Sequence, residues 1–378
     1  MPSEMTHRER VMAALSHRQP DKVPIDLGGT RDSTIVVEGY ERLKEYLGVR
    51  DENRLTSRMM QVVDVHETIL QALDIDTRGV FPRTTPDVLI GEDRYRDEWG
   101  VERVRPPGSH YFDQVTFPLS GEITVRDIAR YRWPDPTAPI RREGLKERVR
   151  QIRRTGCAAV LNLQSGFVHI SQYLRGFTDW FIDLASDKKL AAALYDAVLE
   201  VNLGINRTLL EEVGGEVDVV MASDDLGLQN GLMVSPELYR ELFKPRQRRY
   251  FQQMHDLSPA KLFFHTCGSV AAILDDLIEI GVEVLNPVQV TAAGMDPSTL
   301  KRRYGDRLAF WGAIDTQYVL PRGSVAEVKA EVERRIEELG AGGGYVLGAV
   351  HNIQPDVPVE NIIVMYRHAR EYVPSFAR

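Results

Sequence analysis

The sequence predicts an α/β fold, a (β/α)8 barrel of the TIM barrel kind, on three observations. Short apolar runs alternate with amphipathic helical stretches from about residue 217 to the end of the chain. The connections between them are too short for anything but parallel neighbouring strands. Eight such runs appear in all, which suits a closed barrel better than an open doubly wound sheet.

An N-terminal helical extension precedes the first strand, at residues 23–27, and further strands are expected at 79–81 and 159–163. From there the pattern becomes regular. Strand 217–222 leads to a helix over 235–255, opened by Ser235-Pro236-Glu237. The serine can cap the first turn, and proline loses nothing there because that N–H has no helical partner. Strand 262–265 leads to a helix over 270–280 that stops at Gly281, and strand 282–285 to a helix over 297–304. Strand 308–311 precedes a helix over 324–339 with Gly340 beyond it, and strand 345–350 precedes the closing helix, 358–372. Residues 95–134 differ, being aromatic, alternating and poor in helix signals. Tyr95-Arg96-Asp97-Glu98-Trp99-Gly100-Val101 reads as a hairpin turning at Trp99-Gly100. The stretch is expected to be an insertion covering part of the barrel, so that residues 1–378 form a single domain.

Length and charge narrow the function. A chain of 378 residues is long enough for one large α/β barrel or two ordinary domains, and a net charge of −8 disfavours nucleic acid as a partner. The basic residues from Arg141 to Arg154 read as the solvated face of a helix. Cys157 and Cys267 are the only cysteines, too few for a disulfide scaffold. The opening residues are polar, with no apolar signal core, and no run of about 18 apolar residues could span a membrane. The expectation is a cytoplasmic protein that works without membrane or nucleic acid.

His265-Thr266-Cys267-Gly268, directly after the apolar run Lys261-Leu262-Phe263-Phe264, carries the most chemical information. Alternate side chains of a strand share a face, so His265 and Cys267 look the same way. Alone the pair is weak evidence, because a satisfied histidine beside a buried cysteine is common core content. The other strand ends strengthen it. Barrel chemistry lies at the C-terminal ends of the strands. Those ends supply Asp26; Asn162 and Gln164; Asp224 and Asp225; Asn286 and Gln289; Asp315 and Gln317; and His351 and Asn352. About half of these could serve only as caps of the following helices. His351, closing the last strand, is the expected third metal ligand, and two imidazoles with one thiolate suit Zn²⁺ with a fourth position open. Asp224, Asp225 and Asp315 are expected to act in catalysis by orienting substrate or ligands. Asp26, Asn162, Gln164, Asn286, Gln289, Gln317 and Asn352 are expected to bind substrate.

The remaining histidines are weaker ligand candidates. His7, His17 and His368 lie on or beside terminal helices, and His255 ends a surface helix. His66 is expected to pack among apolar neighbours, and His169 to line the pocket. The sequence has no H-x-H, no G-x-S-x-G elbow and no Walker loop. Gly340 and Gly342 to Gly344 precede a strand rather than follow one, which makes them a helix stop and turn.

These residues sit within longer motifs. Thr6-His7-Arg8-Glu9-Arg10-Val11-Met12-Ala13-Ala14-Leu15, then Asp21-Lys22-Val23-Pro24, resembles the opening of the uroporphyrinogen decarboxylase superfamily. So do Lys244-Pro245, the His265-Thr266-Cys267-Gly268 strand end, Asn286-Pro287-Val288-Gln289, Trp311-Gly312-Ala313-Ile314-Asp315 and Val357-Pro358-Val359-Glu360-Asn361. The resemblance runs over nearly the whole chain and implies a barrel with its pocket at these strand ends. The superfamily's decarboxylase branch carries an Arg-Gln-Ala-Gly-Arg loop for substrate carboxylates and an aspartate after the second strand. Here the first region reads Gly28-Gly29-Thr30-Arg31-Asp32-Ser33 and the second Phe81-Pro82-Arg83-Thr84.

The chain is more similar to the cobalamin-dependent methyltransferase branch, whose zinc site is H-x-C plus a later cysteine. His265 and Cys267 match that motif, and His351 stands where the later cysteine falls. The decarboxylase branch also has a histidine there, so His351 is open as a ligand or as a residue behind the ligands. The resemblance implies a zinc-dependent methyltransferase moving a methyl group between a small methoxy, amine or thiol compound and a corrinoid (cobalamin) on a partner protein. Two alternatives stand beside it. One is a metal-free decarboxylase of a small acid, with Arg31 or Arg83 gripping the carboxylate and His351 donating a proton. The other is a non-catalytic binding barrel in which His265 and Cys267 only pack.

Overall fold

The computed structural model describes residues 4–377, leaving residue 378 and the first three residues of the polar opening outside. Two strands, β1 (Arg54–Ser57) and β2 (Val62–Asp64), pair antiparallel ahead of the barrel strand β3 (Thr77–Val80). The insertion supplies β4 (Val88–Gly91), β5 (Arg94–Arg96), β6 (Glu102–Val104) and β7 (Asp113–Thr116). The barrel resumes with β8 (Ala158–Ser165), β9 (Val219–Ser223), β10 (Lys261–His265), β11 (Val284–Asn286), β12 (Ala309–Ile314) and β13 (Tyr345–Ala349).

Seven strands form one parallel sheet in the order β13-β12-β11-β10-β9-β8-β3. The eighth stave is Ile25 alone. It bridges Leu347 on one side, with Asp26 N–H donating to the Leu347 carbonyl (2.8 Å), and the Ile25 carbonyl accepts from Asp76 N–H (3.1 Å) on the other. The strand expected over 23–27 shrinks to this bridge because Pro24 has no N–H to donate and Gly28, with φ +74, turns the chain away.

The five C-terminal strand–helix units form where the spacing predicts. Helix Pro297–Tyr304 has the expected bounds, and Ser324 caps helix Val325–Leu339 through a reciprocal bond with Glu327. The helix expected over 235–255 is interrupted. Its first turn, Pro236–Leu238, widens into a π turn at Tyr239–Phe243 before Lys244–Leu257 continues. Pro245 cannot donate the usual i→i−4 bond, and the wide turn accommodates that gap.

The insertion is a four-stranded antiparallel sheet in the order β4-β5-β6-β7, with the expected hairpin between β5 and β6. It begins at Val88, ahead of the expected boundary at 95. Val88, Leu89 and Ile90 are all exposed, so no alternation of polar and apolar residues marks β4 as a strand. Two further expectations are corrected. Arg141 is not on a solvated face but buried against Glu98 (2.7 Å), and His66 caps helix Glu67–Ala72 by accepting Thr68 N–H (3.3 Å) instead of packing.

Ala158, Val160, Val219, Met221, Phe263, Val284, Ala309, Trp311 and Val346 fill the barrel interior. Val11 and Leu15 of helix His7–Leu15 join that cluster and close the N-terminal end of the barrel. The same helix satisfies the carboxylates that precede β3 and β9. Asp76 accepts from Arg10 (2.8 Å), His7 (2.8 Å), Arg370 (2.5 Å) and Ile25 N–H (2.7 Å). Asp218 accepts from Arg8 (2.7 Å) and Ala159 N–H (2.9 Å). The chemistry is left to the opposite end.

Candidate functional site

β10 delivers His265 buried at the mouth, and the next two residues bring Cys267 to the same side, with Sγ 3.4 Å from His265 Nε2. The turn beyond is fixed by backbone donors. Cys267 N–H donates to Asp225 Oδ1 (2.8 Å) and Gly268 N–H to Gln289 Oε1 (2.7 Å). Gly268 has φ +84, and a Cβ there would lie 2.5 Å from the Gly227 carbonyl carbon, so only glycine fits the crossing. β13 brings in His351, whose ring stands edge-on to that of His265 at 5.6 Å between centroids. One donor atom from each of His265, Cys267 and His351 lies within 4.8 Å of the others.

The donor set fits a tetrahedral zinc ion. Metal–nitrogen and metal–sulfur bonds of about 2.0 and 2.3 Å place N and S roughly 3.5 Å apart, and the observed separation is 3.4 Å. The second nitrogen of His265 agrees. Nδ1 lies 2.6 Å from Asn286 Oδ1, while Asn286 Nδ2 donates to the Trp311 carbonyl (3.1 Å). The amide is thereby oriented with its oxygen toward the ring and Nδ1 carries a proton, which makes Nε2, on the Cys267 side, the nitrogen a metal would take in exchange for its proton.

Acids surround this group. Asp32 Oδ2 is 3.7 Å from His265 Nδ1, and Asp225 Oδ1 is 3.8 Å from Nε2. Burial opposes charge on His265, but Asp32, the Cys267 sulfur and Asp225 outweigh it and hold the imidazolium well above its ordinary range. Burial pushes His351 down and the Cys267 thiol up. The neighbouring carboxylates split apart. Burial raises Asp224 to about 6, whereas at Asp225 burial is overcome by His169 and His265, which hold it low. His169 Nε2 is 3.4 Å from Asp225 Oδ2.

The other expected site residues divide by what occupies their polar atoms. Asp26 is fully enclosed, accepting from Trp311 Nε1 (2.9 Å), Gly29 N–H (2.9 Å) and the Thr77 hydroxyl. Asn162 is enclosed too, accepting from Arg31 N–H (2.9 Å) and donating to the Gly29 carbonyl (2.9 Å), so it braces the Gly28–Ser33 loop. Asn352 holds the same loop through Thr34 N–H (3.1 Å). Asp224 accepts from His169 N–H (2.9 Å) and Val168 N–H (3.3 Å) at the start of helix Phe167–Arg175. Asp315 accepts from Gln317 N–H (2.8 Å) and Val319 N–H (3.3 Å), which ties down the turn that leads into helix Val319–Arg322. Gln317 bonds to the Thr291 hydroxyl (3.0 Å), and Gln289 to Gly268 and Gln229 (3.2 Å). Gln164 donates to Glu98 (2.6 Å) and faces a cavity of about 550 Å³ between the insertion and the barrel mouth.

Sequence reasoning missed Asp32, Tyr173 and Arg103. Asp32 lies several residues beyond its strand and returns to the mouth only because Asn162 and Asn352 hold the loop. Arg103, on β6, and Tyr173 both line the cavity, Arg103 with its guanidinium 4.7 Å from the Tyr173 ring centroid. An arginine on an inserted strand carries no sequence signal of that position.

Among curated proteins, a methylcobamide:CoM methyltransferase, MtaA, of Methanosarcina barkeri is 28% identical over 155 residues, which is 41% of this chain and 42% of that protein. A uroporphyrinogen decarboxylase of Legionella pneumophila is 26% identical over 198 residues, 52% of each. The chain thus spans about half or less of the length of these relatives. A solved methyltransferase structure from Methanosarcina mazei superposes over 97% of this chain and 99% of that one, with a TM-score of 0.67 at 19% identity, and so shares the fold. Residues 115–372 match the family model described as uroporphyrinogen decarboxylase (URO-D). With the parallel barrel and its mouth as built above, the chain belongs to the uroporphyrinogen decarboxylase family.

Proposed function

We propose that the chain is a zinc-dependent methyltransferase that moves a methyl group between a small methylated compound and a corrinoid carried on a partner protein. The observation that carries this reading is the convergence of His265, Cys267 and His351, with Asn286 holding His265 in the tautomer a metal needs. Zinc bound there would act as a Lewis acid on the heteroatom that loses or gains the methyl group. One thiolate and two neutral imidazoles leave the centre formally +1, which suits a methoxy oxygen or an amine better than a soft thiolate.

The chain's own residues would do the rest. Asp225 fixes the Cys267 backbone, and its second oxygen faces His169 Nε2, where a proton can be held beside the reacting group. Asp224 anchors the helix that carries His169. The Gly28–Ser33 loop, pinned by Asn162 and Asn352, would hold Asp32 against His265 at the mouth. A substrate with many carboxylates, such as uroporphyrinogen, finds little support. Arg58 and Arg83 are each occupied by a carboxylate partner (Asp87 and Glu143), which leaves too few cations for several carboxylates, and every buried anion left unpaired costs several kcal/mol.

Zinc analysis of the protein purified without added metal tests the centre. Near-stoichiometric zinc is expected, and Cys267→Ala should lose it while keeping the fold, because a small thiol adds little packing. Full zinc retention in that variant would sink the reading. With a reduced corrinoid protein and a panel of methoxylated and methylated compounds, cobalt methylation is expected in the visible spectrum. Porphyrinogen turnover by the purified protein would overturn the assignment.

A further inference from the structure

We propose that the cavity between the inserted sheet and the barrel mouth is the chamber for the small methyl-bearing compound, and that it selects an organic acid. Its ligand would carry one carboxylate on a ring-sized apolar body, with the anion held by Arg103 of β6 and by Arg31. This rests on the methyltransferase reading for the reaction, but the selection itself follows from the cavity.

The volume, about 550 Å³, lies in the range of small-molecule pockets. Its apolar wall comes from Leu55, Met60, Trp99, Ile170 and the Tyr173 ring. Three contacts tie this wall to the candidate metal centre. Arg31 adjoins Asp32, which faces His265 at 3.7 Å. Met60 Sδ meets Asn352 Nδ2 at 3.9 Å, next to His351. Tyr173 stacks on His169 with ring centroids 5.8 Å apart, and His169 faces Asp225.

The polar atoms define the ligand's charge. The Arg103 side chain is 4% exposed, and its Nε donates to Asp97 Oδ2 (3.2 Å), yet its Nη1 is buried with no hydrogen-bond partner. A buried charged donor left unmade is costly, and a ligand oxygen reaching it from the cavity that Arg103 lines would satisfy it. Arg31 pairs with no carboxylate among the described residues; its Nη1 donates to the Leu163 carbonyl (3.0 Å). Burial also presses its pKa down, against a countering pull from Asp32, so a desolvated guanidinium waits at the wall. A carboxylate meets an unused buried donor and an unpaired cation together, and a guanidinium recognises it better than any neutral acceptor. An alcohol or amide satisfies only the first. An ammonium satisfies neither.

Titration calorimetry with benzoate, benzyl alcohol and benzylamine on the full chain tests this directly. Benzoate is expected to bind roughly ten- to a hundredfold more tightly than the alcohol, the amount one charge-assisted contact supplies, and benzylamine least. Arg103→Met should cost benzoate about the same factor while leaving the alcohol unchanged. Arg103→Lys, with the charge kept, should recover part of it. Thermal melting and zinc content of each variant guard against misfolding. Equal affinity for acid and alcohol, preference for the amine, absence of benzoate binding at millimolar concentration, or an Arg103→Met variant that folds and binds benzoate normally would each overturn the proposal. Zinc absent from a protein that still selects benzoate would instead count against the methyltransferase reading alone. Methylation of cobalt by neutral donors only, with benzoate ignored, would do the reverse.

Discussion

The two ends of the barrel bury charge in opposite ways. At the N-terminal end Asp76 and Asp218 are enclosed, and each is met by arginine and by a backbone N–H. Burial by itself would raise Asp76, but the His7 bond and the charges of Arg370 and Arg10 overcome it and keep the carboxyl below its ordinary range. At the mouth, Asp224 is equally enclosed and has no arginine; its partners are two N–H groups and His169 at 3.7 Å, and it rises to about 6. Saturated pairs build a lid that does not titrate near neutrality. Undersupplied groups build a site whose protons can move.

The largest effect should come from breaking the saturated end. Asp76→Ala takes the shared anion from Arg10, Arg370 and His7 and unpairs Ile25 N–H, while Arg10 keeps Asp21 and Arg370 keeps Asp74. Calorimetric or denaturant unfolding should show a loss of about 2–3 kcal/mol with zinc content per folded molecule unchanged. Because the folded carboxyl sits below its ordinary value, its contribution is present above about pH 4 and vanishes as pH falls further. The variant should lack that acid-side loss. A zinc defect in it would mean that the two ends are coupled.

Asn286→Ala comes next. Removing the acceptor behind His265 should weaken zinc binding ten- to a hundredfold, as for other groups that support a metal ligand, in a competition assay with a chromogenic chelator. His351→Ala in the same assay separates its two roles. A loss well beyond a hundredfold marks a direct ligand, and a loss within that range marks a supporting residue.

Asp224→Asn tests the undersupplied end. The folded carboxyl holds its proton up to about pH 6, so wild-type stability falls as pH rises from about 4 to 6, the reverse of Asp76. The amide still offers one oxygen to the helix, and the variant should be about 1 kcal/mol more stable at pH 7.5 with that slope removed. Methyl transfer should fall at the same time, since stability and function pull apart at such sites. Asp315→Ala should have the smallest effect, about 1 kcal/mol from the lost turn hydrogen bonds, with zinc and transfer intact. A large drop in transfer would return Asp315 to the catalytic group.

What could be read in the sequence was what depends on local spacing. The five C-terminal units follow from strand and helix periods alone, whereas the shared side of His265 and Cys267, read from the strand period, is set by the turn beyond β10, which ends at His265. The partners of polar side chains do not follow from such periods. Asn162 bonds to residues 29 and 31, more than 130 positions away, and Asp26 to Trp311, 285 positions away. No rule of spacing distinguishes such a brace from a substrate contact. Asn286 shows the same limit, since it was expected to face substrate and is instead set against His265. Arg103 was hidden for a further reason: its position depends on how the inserted sheet lies over the mouth.

Helix His7–Leu15 has a consequence in time. Val11 and Leu15 are synthesised more than 330 residues ahead of Val346, in the same interior cluster. At synthesis rates of 5–20 residues per second, roughly 20 s to a minute separates them. Through that interval the helix has no lumen to enter, and the arginines it carries wait for Asp76 and Asp218 to be enclosed. The closing of the barrel floor therefore waits for the last barrel strand, and a fusion that holds this helix elsewhere should delay the last step of folding more than the first.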